Sequence, residues 1–245
     1  MNTTNTILNQ LKEIGVHSII SDEQIILEIL DDNLKQKEKM DCLINNLLIN
    51  TRINNLKKVL LECPKNHLEH LNRTMEKMKI KGERVIYIKS LEEPINIGDI
   101  DYELWSNNDK KSLTFLSEIM DRNMLDIQKF IVSMRTELPS QVQKMFTIYK
   151  VNNEPVGVVF PHLEPDKDKE GRIFWIGIHP KFRGKGLGKN LHLIGLYRLQ
   201  NDFKAKSYVG ATQINNYSMR KIMIYNGCLE NKNTVISLEY SGEYL

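Results

Sequence analysis

Residues 171–200 read GRIFWIGIHPKFRGKGLGKNLHLIGLYRLQ, and this stretch decides the fold. The apolar run Ile173–Ile178 predicts a strand that is buried on both faces, and Pro180 ends it. The next segment, 183–188, has a glycine at every second position, and apolar residues then recur at helical spacing up to Leu196. The stretch therefore predicts a strand, a glycine-rich turn and a helix.

The glycine-rich turn has the chemistry of an anion-binding site. Glycines let backbone N–H groups approach a ligand that a Cβ would keep away, and a helix N-terminus carries about half a positive charge. The side chains of Arg183, Lys185 and Lys189 add full positive charges. We therefore predict that the turn binds a phosphate group, and a glycine-rich turn without a ligand is the alternative.

Two common phosphate-binding patterns do not fit this turn. A P-loop requires Ser or Thr after its lysine, whereas Asn190 follows Lys189 here. A dinucleotide-binding fold requires G-x-G-x-x-G and an acidic residue at the end of the next strand. This turn reads G-x-G-x-G, and Asp202 precedes the next predicted strand. The sequence therefore excludes both patterns.

A third pattern, [RQ]-x-x-G-x-[GA], does fit. Arg183, Gly186 and Gly188 fill it, and Ile178-His179-Pro180 supplies the usual V-x-P prefix with Ile in place of Val. The segment resembles the acyl-CoA-binding motif of the GCN5-related N-acetyltransferases, the GNAT family. In that family the loop holds the pyrophosphate of coenzyme A.

The order of predicted elements from residue 100 onward also resembles this family. It runs β-α-α-β-β-β-loop-α-β-α-β, with the two early helices at 111–121 and 124–136 and a hairpin over 145–162. The resemblance implies an α/β (α+β) fold, the GNAT acyl-CoA N-acyltransferase fold. Such a fold has a mixed, mostly antiparallel central sheet flanked by helices.

Residues 1–95 lack this resemblance, so we predict an N-terminal helical or α/β domain at 1–95 and an acetyltransferase domain at 96–245. Residues 58–90 run strand, helix, strand, as do residues 207–240, and the first domain is interpreted as a degenerate half-copy of the second. A chance similarity is the alternative, because strand–helix–strand units are common.

The elements predicted in the first domain are helices at 6–14, 23–30 (starting at Ser21-Asp22), 40–53 and 67–78 (ending at Gly82), and strands at 58–62 and 85–88.

The resemblance implies which residues bind acetyl-CoA, the expected cosubstrate. In the family the central strand parts from its neighbour at a bulge, and the pantetheine arm pairs with its backbone, here at residues 176–178. Asn216 matches the asparagine that starts a later helix and contacts the coenzyme arm. The implied coenzyme-binding residues are Ile176, Gly177, Ile178, Arg183, Gly184, Lys185, Gly186, Leu187, Gly188, Lys189 and Asn216.

The catalytic groups depart from the family pattern. A protonated amine must lose a proton before it attacks, and a carboxylate is the usual base. The commonest family position for that base is Arg172 here, so Glu170 and Glu164 are the candidates, with simple solvated loop carboxylates as the alternative. The tyrosine that serves as general acid in many members is replaced by Met223, and Tyr225 is predicted to face elsewhere on the helix.

Composition limits the partners. The net charge of +3 is too small to indicate a nucleic-acid partner. The three cysteines show neither metal-ligand spacing nor a disulfide framework, which fits a reducing cytoplasm. No signal peptide, membrane span or metal site is expected, and the abundance of Asn, Ile and Lys suggests an AT-rich, bacterial genome.

The sequence therefore predicts a cytoplasmic, acetyl-CoA-dependent N-acetyltransferase that uses direct attack by an acceptor amine. The absent tyrosine and the displaced base keep a second hypothesis open. In that alternative, the domain is an acyl-CoA-binding sensor or regulatory module with little or no transferase activity.

Overall fold

A computed structural model describes residues 3–20, 24–29, 36–53, 58–165 and 167–241. Within these residues the chain forms eight α-helices and eleven strands. The helices are α1 (Thr3–Glu13), α2 (Lys37–Ile53), α3 (Asn72–Met75), α4 (Lys110–Met120), α5 (Met124–Glu137), α6 (Val142–Met145), α7 (Gly188–Asn201) and α8 (Tyr217–Tyr225). The strands are β1 (Val16–Ile20), β2 (Gln24–Ile29), β3 (Lys58–Pro64), β4 (Lys79–Ser90), β5 (Tyr102–Leu104), β6 (Thr147–Val151), β7 (Glu154–Leu163), β8 (Glu170–Ile178), β9 (Ser207–Gln213), β10 (Leu229–Glu230) and β11 (Val235–Ser241).

The chain packs as two units that are not contiguous in sequence. The first unit comprises 1–86, 213–215 and 231–245, and the second comprises 87–212 and 216–230. The first unit therefore contains the last strand, β11, and the second begins inside β4. The domain boundary near residue 95 stays a prediction.

The first unit is a mixed sheet with strand order β1-β2-β3-β11-β4. β1 and β2 form an antiparallel hairpin, β2 is parallel to β3, and β11 lies antiparallel to both β3 and β4. Helices α1 and α2 pack through buried residues such as Leu11 and Leu47 onto one sheet face, to which Leu27 and Leu61 belong. This face holds the core of the first unit.

Two predicted helices in the first unit are wrong. The segment predicted as a helix at 23–30 is the strand β2, whose burial alternates with the period of two that a half-buried strand requires. Ser21, Asp22, Glu23 and Leu30 lie outside the described residues. The helix predicted at 67–78 is a 3-10 helix over 65–70 followed by the single turn α3.

The end assigned to that helix is also wrong. Gly82 lies inside β4, which begins at Lys79 and takes in the predicted strand at 85–88. A Cβ on Gly82 would lie 3.0 Å from the side-chain oxygen of Gln213, so this glycine allows a close side-chain approach instead of ending a helix. Apolar runs this short fit either type of element, and strand pairing decides between them.

The second unit has strand order β4-β9-β8-β7-β6-β5, with β10 pairing antiparallel to the end of β4. β5, β6, β7 and β8 pair antiparallel in succession, and β8 is parallel to β9. Helices α4 and α5 bury residues such as Phe115 and Ile127 in one cluster, and α7 buries Leu191 and Ile194 in another. The predicted mixed, mostly antiparallel α/β sheet flanked by helices is confirmed.

Each unit contains the same connection. An antiparallel hairpin leads through a helix to a parallel strand, as β1-β2-α2-β3 in the first unit and β7-β8-α7-β9 in the second. In each unit, the strand on the other side of the parallel strand is supplied by a segment that is distant in sequence. It is β11 beside β3 in the first unit and the end of β4 beside β9 in the second.

Candidate functional site

The central strand β8 separates from β9 after two residue pairs. Its pairing with β7 extends from Gly171 to Ile178, but its pairing with β9 is confined to Glu170↔Ser207 and Gly171↔Tyr208. The side chains from 172 to 178 are half-buried, so the prediction of a strand buried on both faces is wrong for this part of β8. Because one edge of this part is unpaired, a slot opens there between β8 and β9.

Backbone groups of β8 point into the slot at alternate residues. The N–H of His179 donates to the carbonyl of Val156 in β7 (2.9 Å). Because strand backbone groups alternate between the two edges, those of Ile178 and Ile176 face the β9 side, whereas those of Gly177 face β7. An extended polar chain could therefore pair with the two isoleucines as an added strand would.

A bulge in β8 changes which residues face which helices. Phe174 and Trp175 together lie opposite the single residue Phe160 of β7. Both aromatic side chains pack against the cluster of α4 and α5, whereas Ile173 and Ile176 pack with the α7 cluster. The bulge that the resemblance implied is thus present, and it precedes Gly177.

Gly177 makes room for the indole of its own strand. A Cβ there would lie 2.2 Å from Cη2 of Trp175 and 2.9 Å from a methyl group of Ile119 in α4. Real Cβ atoms do not approach so closely, so a larger residue at 177 would displace the indole. The last turn of α4 therefore lies directly over this part of β8.

The glycine-rich turn has the backbone of an anion-binding loop. Gly184 and Gly186 have φ angles of 78° and 77°, and a Cβ on either would meet no atom within 4 Å. Glycine is favoured here by backbone conformation and not by crowding. In the described part of the chain, no hydrogen bond engages the backbone N–H groups of residues 185–188. These groups lie at the start of the 14-residue helix α7.

Three basic side chains of the turn have different roles. Arg183 donates from Nε to the carbonyl of Ile178 and from Nη2 to the carbonyl of Ile119, both at 3.0 Å. Lys185 lies 5.1 Å from the ring centroid of Phe182, while Lys189 lies over the ring of Tyr225. Arg183 therefore holds the turn against neighbouring backbone, and the two lysines provide its exposed positive charge.

Helix α8 lies against the start of α7. The side chain of Asn216 caps α8 by accepting a hydrogen bond from the N–H of Met219 (3.2 Å). Met223 is buried (2% exposed) and Tyr225 is exposed, so these two residues face different ways as expected. Met223, which replaces the tyrosine general acid of many family members, is thus a buried thioether side chain.

The two predicted base candidates lie together at the start of β8, with an arginine between them. Nε of Arg172 is 2.8 Å from Glu170 and 3.4 Å from Glu164. Glu164 is also 3.4 Å from Nε2 of His162, whose pKa is lowered to about 4 by burial and then by the charge of Arg172. Both carboxylates are therefore partly neutralised by the same guanidinium.

His179 has a hydrogen-bond partner that is distant in sequence. Its Nε2 lies 3.1 Å from Oε2 of Glu118 in α4, and its Nδ1 accepts the N–H of Lys181 (3.3 Å). The imidazole stacks on Phe115 with an interplanar angle of 9°. Glu118 and His179 are 61 residues apart, so only the packing of α4 on β8 could reveal the pair.

The other histidine near the turn is structural. His192 in α7 is fully buried. Its Nδ1 accepts a hydrogen bond from the side-chain amide of Asn226 (2.9 Å), and its Nε2 donates one to the hydroxyl of Tyr208 (3.2 Å). Burial, followed by the charge of the nearby Lys89, lowers the pKa of His192 to about 3. A neutral imidazole therefore joins α7, α8 and β9.

The described residues contain no cluster of three His, Cys, Asp or Glu side chains that could hold a metal ion. No helix within them combines the length and apolarity needed to cross a bilayer. Burial raises the pKa of the Cys63 thiol to about 12 and that of Cys228 to about 11, so neither is a reactive thiolate.

Residues 114–221 match the model of the Acetyltransferase (GNAT) family. This region includes most of α4, the slot, the glycine-rich turn and the first part of α8. A comparison with curated protein sequences finds no significant match.

Solved structures with the same fold are similar over nearly the whole chain. A GCN5-related N-acetyltransferase from Sphaerobacter thermophilus has a TM-score of 0.65 at 11% identity, covering 93% of this chain and 76% of that one. A tandem GNAT protein from the clavulanic acid biosynthesis pathway has a TM-score of 0.65 at 11% identity, covering 94% and 79%. A GCN5-related N-acetyltransferase from Kribbella flavida has a TM-score of 0.58 at 10% identity, covering 99% and 96%.

Proposed function

We propose that this protein, whose residues 114–221 match the model of the Acetyltransferase (GNAT) family, transfers an acetyl group from acetyl-CoA to the amine of an acceptor molecule. The observation that supports the proposal most is the continuity of the slot with the glycine-rich turn. The unpaired edge of β8 ends at Ile178, and the turn begins five residues later at Arg183.

The residues present fit coenzyme A in two ways. The turn offers unpaired N–H groups, two glycines at positive φ and the lysines 185 and 189, which suit a pyrophosphate. The backbone groups of Ile176 and Ile178 suit the amides of a pantetheine arm. Bound acetyl-CoA would supply the thioester, and the chain would orient it. In this proposal Ile176, Ile178, residues 184–189 and Asn216 contact the coenzyme. Gly177, whose backbone groups face β7, and Arg183 act through the shape of the strand and of the turn.

Glu170 and Glu164 stay proposals for the general base. A carboxylate next to the slot could accept the proton of the attacking amine. Their shared ion pair with Arg172 means that either one would act with a cation at its side. The buried Met223 offers no acid, so the leaving thiolate would be protonated by another group or by solvent.

The first unit is proposed to be a degenerate half-copy that does not bind coenzyme. Its hairpin–helix–strand connection repeats that of the second unit. In place of the glycine-rich turn, residues 30–36 read LDDNLKQ, without a glycine and with two acidic residues. Glycine-poor, acidic sequence is unsuited to a phosphate.

Transfer is tested by thiol release from acetyl-CoA in the presence and absence of primary amines. The proposal predicts release that depends on both the protein and an amine. The ion-paired carboxylates and the buried Met223 favour one other function, an acyl-CoA sensor. Coenzyme binding without amine-dependent thiol release would support that sensor instead.

A further inference from the structure

We propose that Glu118, held by a hydrogen bond from His179, is the general base that deprotonates the acceptor amine. The inference rests on the transfer reaction proposed above. It assigns the proton-accepting role to a carboxylate at the far end of β8 from Glu170 and Glu164.

The pair lies beside the end of the slot that is next to the coenzyme loop. His179 directly follows Ile178, the last residue of β8, and Glu118 directly precedes Ile119, which lies over Gly177. By contrast, Glu170 begins the strand, about 23 Å from Gly177 at roughly 3.3 Å per residue. Glu118 is therefore the closer carboxylate to the backbone that would bind the pantetheine arm.

The position of Glu118 on the sheet also suits an acceptor. The glycine-rich turn leads into α7, whose side chains pack with Ile176 and Ile178 on one face of β8. Helix α4 packs on the opposite face. With the coenzyme entering from the α7 side, an amine can reach the slot from the α4 side, where Glu118 lies.

The hydrogen bonds around His179 fix which of its two ring nitrogens carries the proton. Because Nδ1 accepts the backbone N–H of Lys181, the ring proton is on Nε2, and Nε2 donates to Oε2 of Glu118 at 3.1 Å. The imidazole is 9% exposed and is stacked on Phe115. It cannot act as the base itself, since both nitrogens are engaged, and it is a positioning residue for Glu118.

The carboxylate itself remains accessible and unneutralised. The side chain of Glu118 is 56% exposed, and no lysine or arginine pairs with it in the described part of the chain. Glu164 and Glu170 share the guanidinium of Arg172. An amine that arrives as a cation is attracted to an unpaired carboxylate and repelled by an arginine.

The proposed step balances as follows. Glu118 takes one proton from the ammonium group of the acceptor, and the freed lone pair of nitrogen forms a C–N bond to the thioester carbonyl carbon. The C–S bond breaks, and its electron pair leaves on sulfur. The nitrogen then loses a second proton, which neutralises the thiolate, and the proton held by Glu118 passes to solvent.

Glu118→Gln tests the role, since the amide can still accept the bond from His179 but cannot take a proton. Thiol release from acetyl-CoA is measured with ethylamine, tyramine and spermidine, which are protonated at pH 7.5, and with hydroxylamine, which is neutral. We expect a loss of about 100-fold or more in kcat with the protonated amines and a much smaller loss with hydroxylamine. The affinity for acetyl-CoA should not change.

A second set of variants distinguishes a positioning role of His179 from a general effect on folding. Glu154→Gln changes an exposed carboxylate at the first residue of β7 and should leave every rate unchanged. His179→Leu should lower kcat without changing acetyl-CoA affinity, and His179→Gln, which can still donate to Glu118, should recover part of that loss. In the protein without coenzyme, nitrogen NMR should detect the proton of His179 on Nε2, and Glu118→Gln should shift that signal whereas Glu154→Gln should not.

The possible outcomes are distinct. Rates for Glu118→Gln within about 3-fold of the parent with protonated amines overturn the assignment of the base while leaving the transfer reaction intact. An equal loss with hydroxylamine and with protonated amines also overturns it. Absence of amine-dependent thiol release from the parent protein overturns the proposed transfer and this inference with it.

Discussion

Arg183 of the glycine-rich turn donates from Nη2 to the backbone carbonyl of Ile119, at 3.0 Å, in the last turn of α4. The final carbonyls of a helix lack intrahelical partners, so the guanidinium satisfies a group that would otherwise depend on water. Its Nε donates to the carbonyl of Ile178 at the end of β8. One side chain thus joins the turn, the central strand and the helix that carries Glu118.

Arg183→Met should destabilise the fold, because it removes two hydrogen bonds from a charged donor to backbone carbonyls. We expect a loss of about 1–3 kcal/mol in the free energy of unfolding, measured by urea denaturation. Lys185→Met is the matched control, since among the described residues this exposed side chain makes only a long contact with Phe182. It should change stability by less than about 0.5 kcal/mol. Equal stability of the two variants would contradict the bracing role.

The parts of the second unit that could be predicted from sequence have strong local signals. The strand–turn–helix around Gly186 combines an apolar run, alternating glycines and a helical pattern. The hairpin turn at Asn152 and Asn153 has φ angles of 52° and 64°, which asparagine tolerates better than most residues. Helices α4 and α5 begin at the side-chain caps Asp109 and Asn123.

What could not be predicted depends on pairing between distant segments. The run that forms β2 has enough apolar residues for either a helix or a strand. Its pairing with β1 and β3 determines that it is a strand. The bulge at Phe174 and Trp175 exists only in relation to β7. The contact of Glu118 with His179 joins two elements by tertiary packing, and no local spacing indicates it.

Stability should fall as the solution becomes acidic, because two buried histidines are neutral in the folded protein. The folded pKa values are about 4 for His162 and about 3 for His192, below the usual 6.5. The unfolded chain therefore binds more protons below pH 6.5, and the stability that these groups contribute above pH 6.5 is lost progressively towards pH 3–4. By pH 5.5 the two together should cost about 3 kcal/mol.

Urea denaturation at pH 8, 7, 6 and 5.5 measures this dependence. His192→Gln should flatten the curve between pH 7 and 5.5, although the variant will be less stable at pH 8. A parent protein with equal stability at pH 7 and 5.5 would show that these histidines are protonated in the fold.

The chain should bind one coenzyme A molecule. Only the second unit has the glycine-rich turn, and residues 30–36 of the first unit contain Asp31 and Asp32 but no glycine. Isothermal titration calorimetry with coenzyme A should give a stoichiometry near one per chain. A stoichiometry near two would mean that the first unit has its own coenzyme site and is not degenerate in that respect.

The central claim is that the glycine-rich turn binds coenzyme A, and thermal unfolding with ligands tests it most directly. The melting temperature is measured with acetyl-CoA, coenzyme A or NAD for the parent, Gly186→Glu and Gly98→Glu. Both glycines have positive φ and open space around a Cβ, so the two variants carry similar backbone strain. Only Gly186→Glu places a carboxylate where the pyrophosphate would bind.

We predict that acetyl-CoA and coenzyme A, but not NAD, raise the melting temperature of the parent and of Gly98→Glu. At about 100 times the dissociation constant, the stabilisation should be about 2.7 kcal/mol. Gly186→Glu should show no such rise. If neither coenzyme A species stabilises the parent, or if both stabilise Gly186→Glu to the same extent, the turn is not the coenzyme site and the account is contradicted.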